Sequence, residues 1–576
     1  MKRFLPSPAA RQQGYALMLT MMFTAVSAVL LANMLRSSSN ETSLTARHNA
    51  YNVAISAAEA GTEMVIARMQ RDFMYQSINA DLNVYRDLSP DSVQSSWRLQ
   101  FDFADGLGNA NRARVESLGS KIVTNLNSEF PGLYGFVQPY EVRSLARLRN
   151  SPVQPWAAVS QQLEFASIPV FQFAIFYGID LEINPGPVMK ITGKVHSNGD
   201  IYTAPYSGLT YYDTVTAVGR IIHDRHPDDQ QYGAPKVTPV YKSLRMEHVS
   251  ALTLPVGPDN NPETIRQILD PPPFGEDPDS NLGKERFYNK ADLIVRTTTT
   301  NVQVYAGRWN NFGYVPPDLT NGGYSFIRTT NSLNDLRETK WTILTEVDVR
   351  ALTNWISSPA KGAGLNTLAK STTGHGINSL YVEDLRTHPS KLTAVRVING
   401  RYLPPDGLTI ATRHPLYVQG DFNAPNLATT NTLNAKPAAL IGDSITVLST
   451  NWNDNNAGKS LTQRAATPTT VNAAFLGGIV KTTHVGSNKY YSGGVENFPR
   501  FLEDWNNKAF TYNGSMVVLF ESRYATNFWK QPGNYYNPPI RNWAFDVNYL
   551  NPSKLPPMTP QFRKLVRGQW RVVAAN

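Results

Sequence analysis

Between Tyr15 and Leu35 the chain runs for 21 residues without a charge (YALMLTMMFTAVSAVLLANML). As a helix rising about 1.5 Å per residue, this run spans roughly 32 Å, which matches a hydrocarbon core of about 30 Å. A cleaved secretory signal has a shorter apolar core of about 7 to 15 residues and a small-residue cleavage site. Asn33-Met34-Leu35-Arg36 offers no such site, so the run predicts a retained membrane helix. Lys2, Arg3 and Arg11 lie on its N-terminal side. Residues 1–14 are therefore expected to be a cytoplasmic leader at the inner membrane, with the bulk of the chain exported to the periplasm or beyond.

From Ser37 to about Phe73 the pattern stays helical, with small and apolar residues at Ala50, Val53, Ala54, Ala57, Ala58, Gly61, Met64 and Val65 near the 3.6 period. Residues 15–73 thus read as one helix, of which 15–35 is the membrane part. Ala50, Ala54, Ala57, Ala58 and Gly61 make a slim stripe that would let another helix approach closely. The same stripe would also suit a helix lying on its own globular domain.

The basic leader ending in Gly14, the aromatic Tyr15, the long apolar helix and the phrase Ala57-Ala58-Glu59-Ala60-Gly61 together resemble the N-termini of type IV pilin-like proteins. The likeness is to the branch whose N-terminal domain is named after the fimbrial biogenesis protein PilX, and it covers about 70 residues. It implies cleavage after Gly14 by a prepilin peptidase, methylation of Tyr15, and packing with other pilins or pseudopilins through Leu19, Ala50, Ala54, Ala57, Ala58, Glu59 and Gly61. One departure carries information: the fifth mature residue is Leu19, where major pilins have glutamate. Leu19 cannot neutralise a neighbour's N-terminal amine, so the resemblance points to a minor or tip subunit, or to a helix that never enters a filament. Glu59 has two readings. It is either a solvated helix residue near Glu63 and Arg68, or a packing-face carboxylate that pairs with a cation on another subunit.

The remaining 500 or so residues are too many for one small head and predict one large or two medium exported domains. At 41% hydrophobic and 11% aromatic, the composition supplies a core, and cysteine is absent, so neither disulfides nor thiol chemistry contribute. The net charge of +9 comes from only 17% charged residues, scattered as in Arg112-Ala113-Arg114 and Arg563-Lys564. This is general surface charge, and no specific nucleic-acid site is expected.

Residues 74–170 read as a mixed α/β connecting region with a strand at Ser95 to Phe103. Residues 171–400 and 401–576 read as β-rich, the last part also rich in aromatics. Strands are expected at Phe173 to Ile179, Val188 to Val195, Thr214 to Ile222, Ala291 to Thr297, Val302 to Tyr305 and Trp341 to Val349, with Pro255 to Pro262 and Asp270 to Pro278 as surface loops. Strand–corner–strand units recur at Ile191 to Tyr202, Leu416 to Phe422, Ala438 to Val447 and Ala473 to Val480, without a derivable repeat length. The fold class is therefore α+β, mostly β: a long helix followed by a partial right-handed β-helix, with a β-sandwich as the second choice. The phrases Ile183 to Pro187, Gly193 to Asp200, Pro415 to Asn423 and Gly493 to Leu502 resemble large exported domains joined to PilX-type N-termini, a likeness that implies no reaction.

No catalytic residues, cofactor or metal are assigned. His196 with Asp200, and Gly442-Asp443-Ser444, invite acid/base or serine chemistry, yet both sit at strand corners where turn chemistry accounts for them. The loop His223-Asp-Arg-His-Pro-Asp-Asp229 has oxygen and nitrogen donors but no metal-site spacing and reads as solvated. Trp505, Tyr512, Phe520, Tyr524, Phe528, Trp529, Tyr535, Tyr536, Trp543, Phe545 and Tyr549 suit core packing or capping, with contact to a surface glycan as the alternative. Two functions compete: a pilin-like subunit of a type IV pilus or type II secretion pseudopilus, and a membrane-anchored adhesin or carbohydrate-active β-helix enzyme.

Overall fold

The computed structural model describes residues 13–75, 77–90, 95–126, 130–331 and 333–575; leader residues 1–12 lie outside them. The apolar run and the pattern after it form one helix, α1 (Gln13–Tyr75). Its interior contains no proline, and the hydroxyls of Thr20 and Thr24 bond back to the carbonyls of Leu17 and Thr20 at 2.9 and 2.8 Å. Both threonine hydroxyls of the apolar run are thereby satisfied within the helix.

The C-terminal half of α1 lies on a six-stranded antiparallel sheet. Its strands are β1 (Phe101–Ala104), β2 (Arg114–Ser117), β3 (Ile122–Asn125), β4 (Tyr134–Leu148) and β5 (Ala157–Pro169), completed by the C-terminal strand Gln561–Val573. The last strand pairs antiparallel with β5, Gln561 opposite Pro169 and Val573 opposite Ala158. Everything between Val170 and Pro560 is thus inserted between two neighbouring strands of this head. Sequence division at 401–576 placed the final strand in the outer body, whereas its partners lie four hundred residues upstream. The strand expected at Ser95 to Phe103 is a short helix over Ser95–Gln100 followed by β1; Trp97 turns back onto Phe101, with ring centroids 5.4 Å apart.

The inserted body is a coil of stacked parallel strands with three faces. Val195 pairs with both Ile175 and Val215, Ile201 with Leu181 and Ile221, and Leu209 with Met189, so one turn advances twenty residues and places one three-residue strand on each face. At one corner of each turn an aspartate receives the next turn's backbone: Asp200 N–H donates to Asp180 Oδ1 at 2.8 Å, and Arg220 N–H to Asp200 Oδ1 at 2.7 Å. Gly199 permits this approach, because a Cβ there would overlap Asp180. The expected strands Val188 to Val195 and Thr214 to Ile222 therefore each divide across a corner into pieces on different faces.

A second, wider series of turns carries strands Leu293–Thr297, Ser379–Asp384, Leu408–Ala411, Ala438–Ile441, Ala474–Ile479 and Met516–Glu521 in parallel on one face. Met516 then pairs with Ile175, so the last turn in sequence stacks on the first and both series share a twelve-stranded sheet. Lys340–Asp348, Lys391–Ile398, Leu416–Gln419, Ile445–Leu448 and Arg500–Phe501 stack likewise on a second face. Thr469–Asn472, Ala509–Gly514 and Ile540–Phe545 stack on a third. The expected strand–corner–strand unit at Ala438 to Val447 is realised in this way, with its two strands on different faces.

Aliphatic and aromatic side chains fill the coil interior. A second core covers the outer face of the long sheet with Leu252, Leu254, Val256, Ile268 and Leu269, and continues into Val137, Ala166 and Ile168 of the head. Pro255 to Pro262 is thus not a free surface loop: Leu254 and Val256 anchor the segment, and Pro262–Arg266 is a short helix. Of the C-terminal aromatics, Trp505, Tyr512, Phe520, Tyr535, Tyr536 and Tyr549 are buried. They pack in and over the coil as expected.

Candidate functional site

Along α1, three environments follow one another. Tyr15 to Leu35 stands bare, with Tyr15 77% and Leu19 56% exposed, and this stretch is long and apolar enough to cross a membrane. Arg36 to Asn49 is exposed as well but polar, a spacer of about 21 Å at 1.5 Å per residue. At Ala50 the helix meets the head and burial begins.

The slim stripe is where that contact occurs. Ala50, Ala54, Ala57 and Ala58 are at most 4% exposed, and Ala57 and Ala58 pack with Phe101, Phe103, Ala146 and Val159. A Cβ on Gly61 would overlap Ser144 Oγ of β4 and lie 3.0 Å from Ser144 Cβ. One turn on, Val65, Ile66 and Met69 enter a cluster with Tyr85, Val115, Val142, Leu163 and Phe165. The small residues expected to receive a neighbouring subunit's helix therefore receive the chain's own sheet. Their size serves the close approach of α1 to β4 and leaves no room there for a second rod.

Charged neighbours pin the same contact. Arg567 on the C-terminal strand pairs with Glu63, Nη2 to Oε2 at 2.8 Å, while Arg68 takes Asp72 at 3.1 Å along the helix. Arg563 donates to the Phe73 carbonyl and stands 5.3 Å from the centre of the Phe73 ring. Glu59 is half-buried at the edge of the stripe and makes no ion pair among the described residues, so the support expected from Glu63 and Arg68 goes elsewhere. Ser144, Arg563 and Arg567 were invisible as partners of α1 in the sequence, although Gln561 to Val573 alternates in strand fashion.

Gln13 and Gly14 begin α1, directly ahead of the bare span. The residues weighed for chemistry lie far from it, each with a structural use. His196 is fully buried, Nδ1 2.8 Å from Thr216 Oγ1 and Nε2 3.0 Å from Asn198 Oδ1, its ring stacked on Phe176. Asp200 serves the corner ladder instead of His196. The buried carboxylate of Asp443 accepts from the backbone N–H groups of Arg523, Tyr524 and Ala525 at 2.7, 3.0 and 2.9 Å and from Arg266 at 3.2 Å. Beside it Ser444 Oγ is buried without a hydrogen-bond partner among the described residues. In the His223 loop, Asp224 pairs with Lys236, Asp229 with Arg225 and Asp228 with His484, at 2.8, 2.9 and 3.1 Å.

No protein-family model matches the chain, and no curated protein matches it in sequence. Among solved structures it is similar to the competence-associated pilin ComZ from Thermus thermophilus, at 10% identity and a TM-score of 0.28, covering 90% of this chain and 97% of that one. At that score the likeness does not establish a common fold.

Proposed function

We propose that this chain is a pilin-like, membrane-anchored minor or tip subunit of a type IV pilus or type II secretion pseudopilus, and that it presents its coil outside the cytoplasm. The observation that supports it most is α1 itself. One unbroken helix carries a bare apolar span, a polar spacer and a small-residue seat against a head sheet. The leader before Tyr15 is the segment a prepilin peptidase would remove, leaving Tyr15 as the methylated N-terminus. Contacts with other pilins are assigned to the bare part of α1, with Leu19 in the packing surface.

Two features favour an end position over the shaft. Leu19 brings no carboxylate to a neighbour's amine, so a subunit stacked above would leave that charge unpaired in an apolar surrounding, which is costly. The inserted coil is also far larger than the head that carries it and suits a place with nothing above. The coil is read as a right-handed β-helix, the sense that parallel crossovers adopt. Its role is read as binding and not catalysis, since His196, Asp200 and Asp443 are engaged in the core and corners.

The test is the mature N-terminus. Mass spectrometry of the protein from cells with prepilin peptidase should find methylated Tyr15 at its start, and from cells lacking the enzyme an intact leader. An intact leader in both overturns the proposal.

A further inference from the structure

On the second face of the coil, four neighbouring turns and the loops after them enclose an open cleft of about 1100 Å³. Binding pockets for small apolar ligands are lined mostly by hydrophobic side chains. This cleft is lined instead by amides, arginines, carboxylates and two aromatic residues.

Its floor is a charged network in which one guanidinium is held between two carboxylates. Arg396, buried, pairs with Glu346 on the preceding turn, Nε to Oε2 at 2.9 Å, and with both oxygens of Asp454 at 2.7 and 3.0 Å. The Trp452 indole N–H donates to the same Asp454 at 2.8 Å. Such a bidentate network is rigid and fixes the wall above it.

That wall presents oriented amides. Gln419 donates its side-chain N–H to the Trp452 carbonyl at 3.3 Å and Asn451 to the Ala465 carbonyl at 3.1 Å, and neither side-chain oxygen has a hydrogen-bond partner among the described residues. Asn453 does the reverse: its oxygen accepts from the Asn455 backbone at 2.9 Å, leaving its amino group as a donor. Above them Tyr402 is 62% exposed, with the Arg401 guanidinium 5.4 Å from its ring centre. Arg401 and Arg350 make no ion pair among the described residues, while Asp421 is the single carboxylate of the cleft outside the floor network.

We infer that this cleft binds an extended acidic polysaccharide, with hydroxyls on the Gln419, Asn451 and Asn453 amides, a sugar face on Tyr402, and uronate carboxylates on Arg350 and Arg401. Pre-set donors and acceptors match a polyhydroxyl chain, whose groups alternate between both roles. An exposed tyrosine supplies a flat amphipathic platform, and a planar guanidinium matches a carboxylate in two-point geometry. The cleft runs across successive turns of the coil, stacked about 4.8 Å apart, and an extent of several turns suits a linear polymer better than a compact ligand.

The test uses the purified full chain in detergent, so it stands apart from filament assembly and from N-terminal processing. Affinity electrophoresis through gels holding polygalacturonate, dextran or a single-stranded oligonucleotide should show retardation by polygalacturonate alone, diminished by salt. Tyr402→Ala, and separately the pair Arg350→Ala and Arg401→Ala, should weaken that retardation at least tenfold while the thermal midpoint stays put, because all three side chains are exposed. As a binding control away from the cleft, Tyr212→Ala should bind like the wild type. No retardation, equal retardation by dextran or by the oligonucleotide, or unchanged binding by the cleft variants would each overturn the inference.

Discussion

Gly61 decides between two opposite expectations. In an isolated helix, Gly→Ala stabilises by about 1 kcal/mol, because alanine loses less conformational freedom. On the head of this protein the new Cβ would overlap Ser144 Oγ and stand 3.0 Å from Ser144 Cβ. Overpacking of a filled site costs about 1–3 kcal/mol, so the helix gain is cancelled or outweighed and the net change for Gly61→Ala is a loss of up to about 2 kcal/mol in the α1–β4 contact. Ser144→Ala removes the overlapping oxygen, and in that background Gly61→Ala should lose little or gain. The pair therefore carries a coupling of about 1 kcal/mol or more. Hydrogen exchange of Tyr134 to Leu148 and Ala50 to Met69 reads this locally: a loss of up to about 2 kcal/mol corresponds to opening up to about 30 times more populated. Slower exchange by about 1 kcal/mol in both backgrounds would mean that α1 does not rest on β4.

Three further outcomes concern the coil. Asp443→Ala should destabilise it by about 3–5 kcal/mol, since the buried Arg266 and three backbone donors lose their acceptor. Ser444→Ala, which removes a buried unbonded hydroxyl, should be neutral or stabilising in denaturant titrations; loss of a measurable hydrolase activity in Ser444→Ala would instead revive a nucleophile. Burial pushes the Glu182 carboxyl up to about 8, against hydrogen bonds from Thr482 and Ser492 that pull it down. The folded coil then holds a proton that the unfolded chain releases near its ordinary 4.5. Its contribution to stability is complete below that value and declines as pH rises toward 8. Glu182→Gln should flatten this part of the stability–pH curve, and an unchanged slope would show that the carboxyl does not titrate there.

Much of the rod was legible because its signal is local. Twenty-one uncharged residues and a 3.6-residue period need no partner to be read, and the strands at Leu293–Thr297, Val302–Ala306 and Lys340–Asp348 are long enough to stand out as runs rich in apolar and β-branched residues. The first coil turns were misjoined because a three-residue strand displays one or two inward positions, too few to separate a corner from a continuation. Their period was nevertheless present: Ile175, Val195 and Val215, Leu181, Ile201 and Ile221, Pro185 and Pro205, and Met189 and Leu209 recur every twenty residues. It is lost later, where insertions of unequal length separate the turns. The destination of Ala54 and Gly61 was ambiguous for another reason: small residues suit any close neighbour, and the neighbour comes from strands whose register only the folded chain fixes. The Arg396 cleft gathers side chains from Glu346 to Asp454 and has no contiguous motif.

The division of α1 into membrane span, spacer and seat can be measured directly, since the chain has no native cysteine. Single cysteines placed along the helix in membrane-embedded protein and exposed to a water-soluble maleimide should stay unlabelled at Leu19, Phe23 and Leu30, react fast at Ser39 and Thr45, and be protected again at Ala54 and Ala58. Ready labelling throughout Leu19 to Leu30, or labelling at Ala54 and Ala58 as fast as at Thr45, would contradict it.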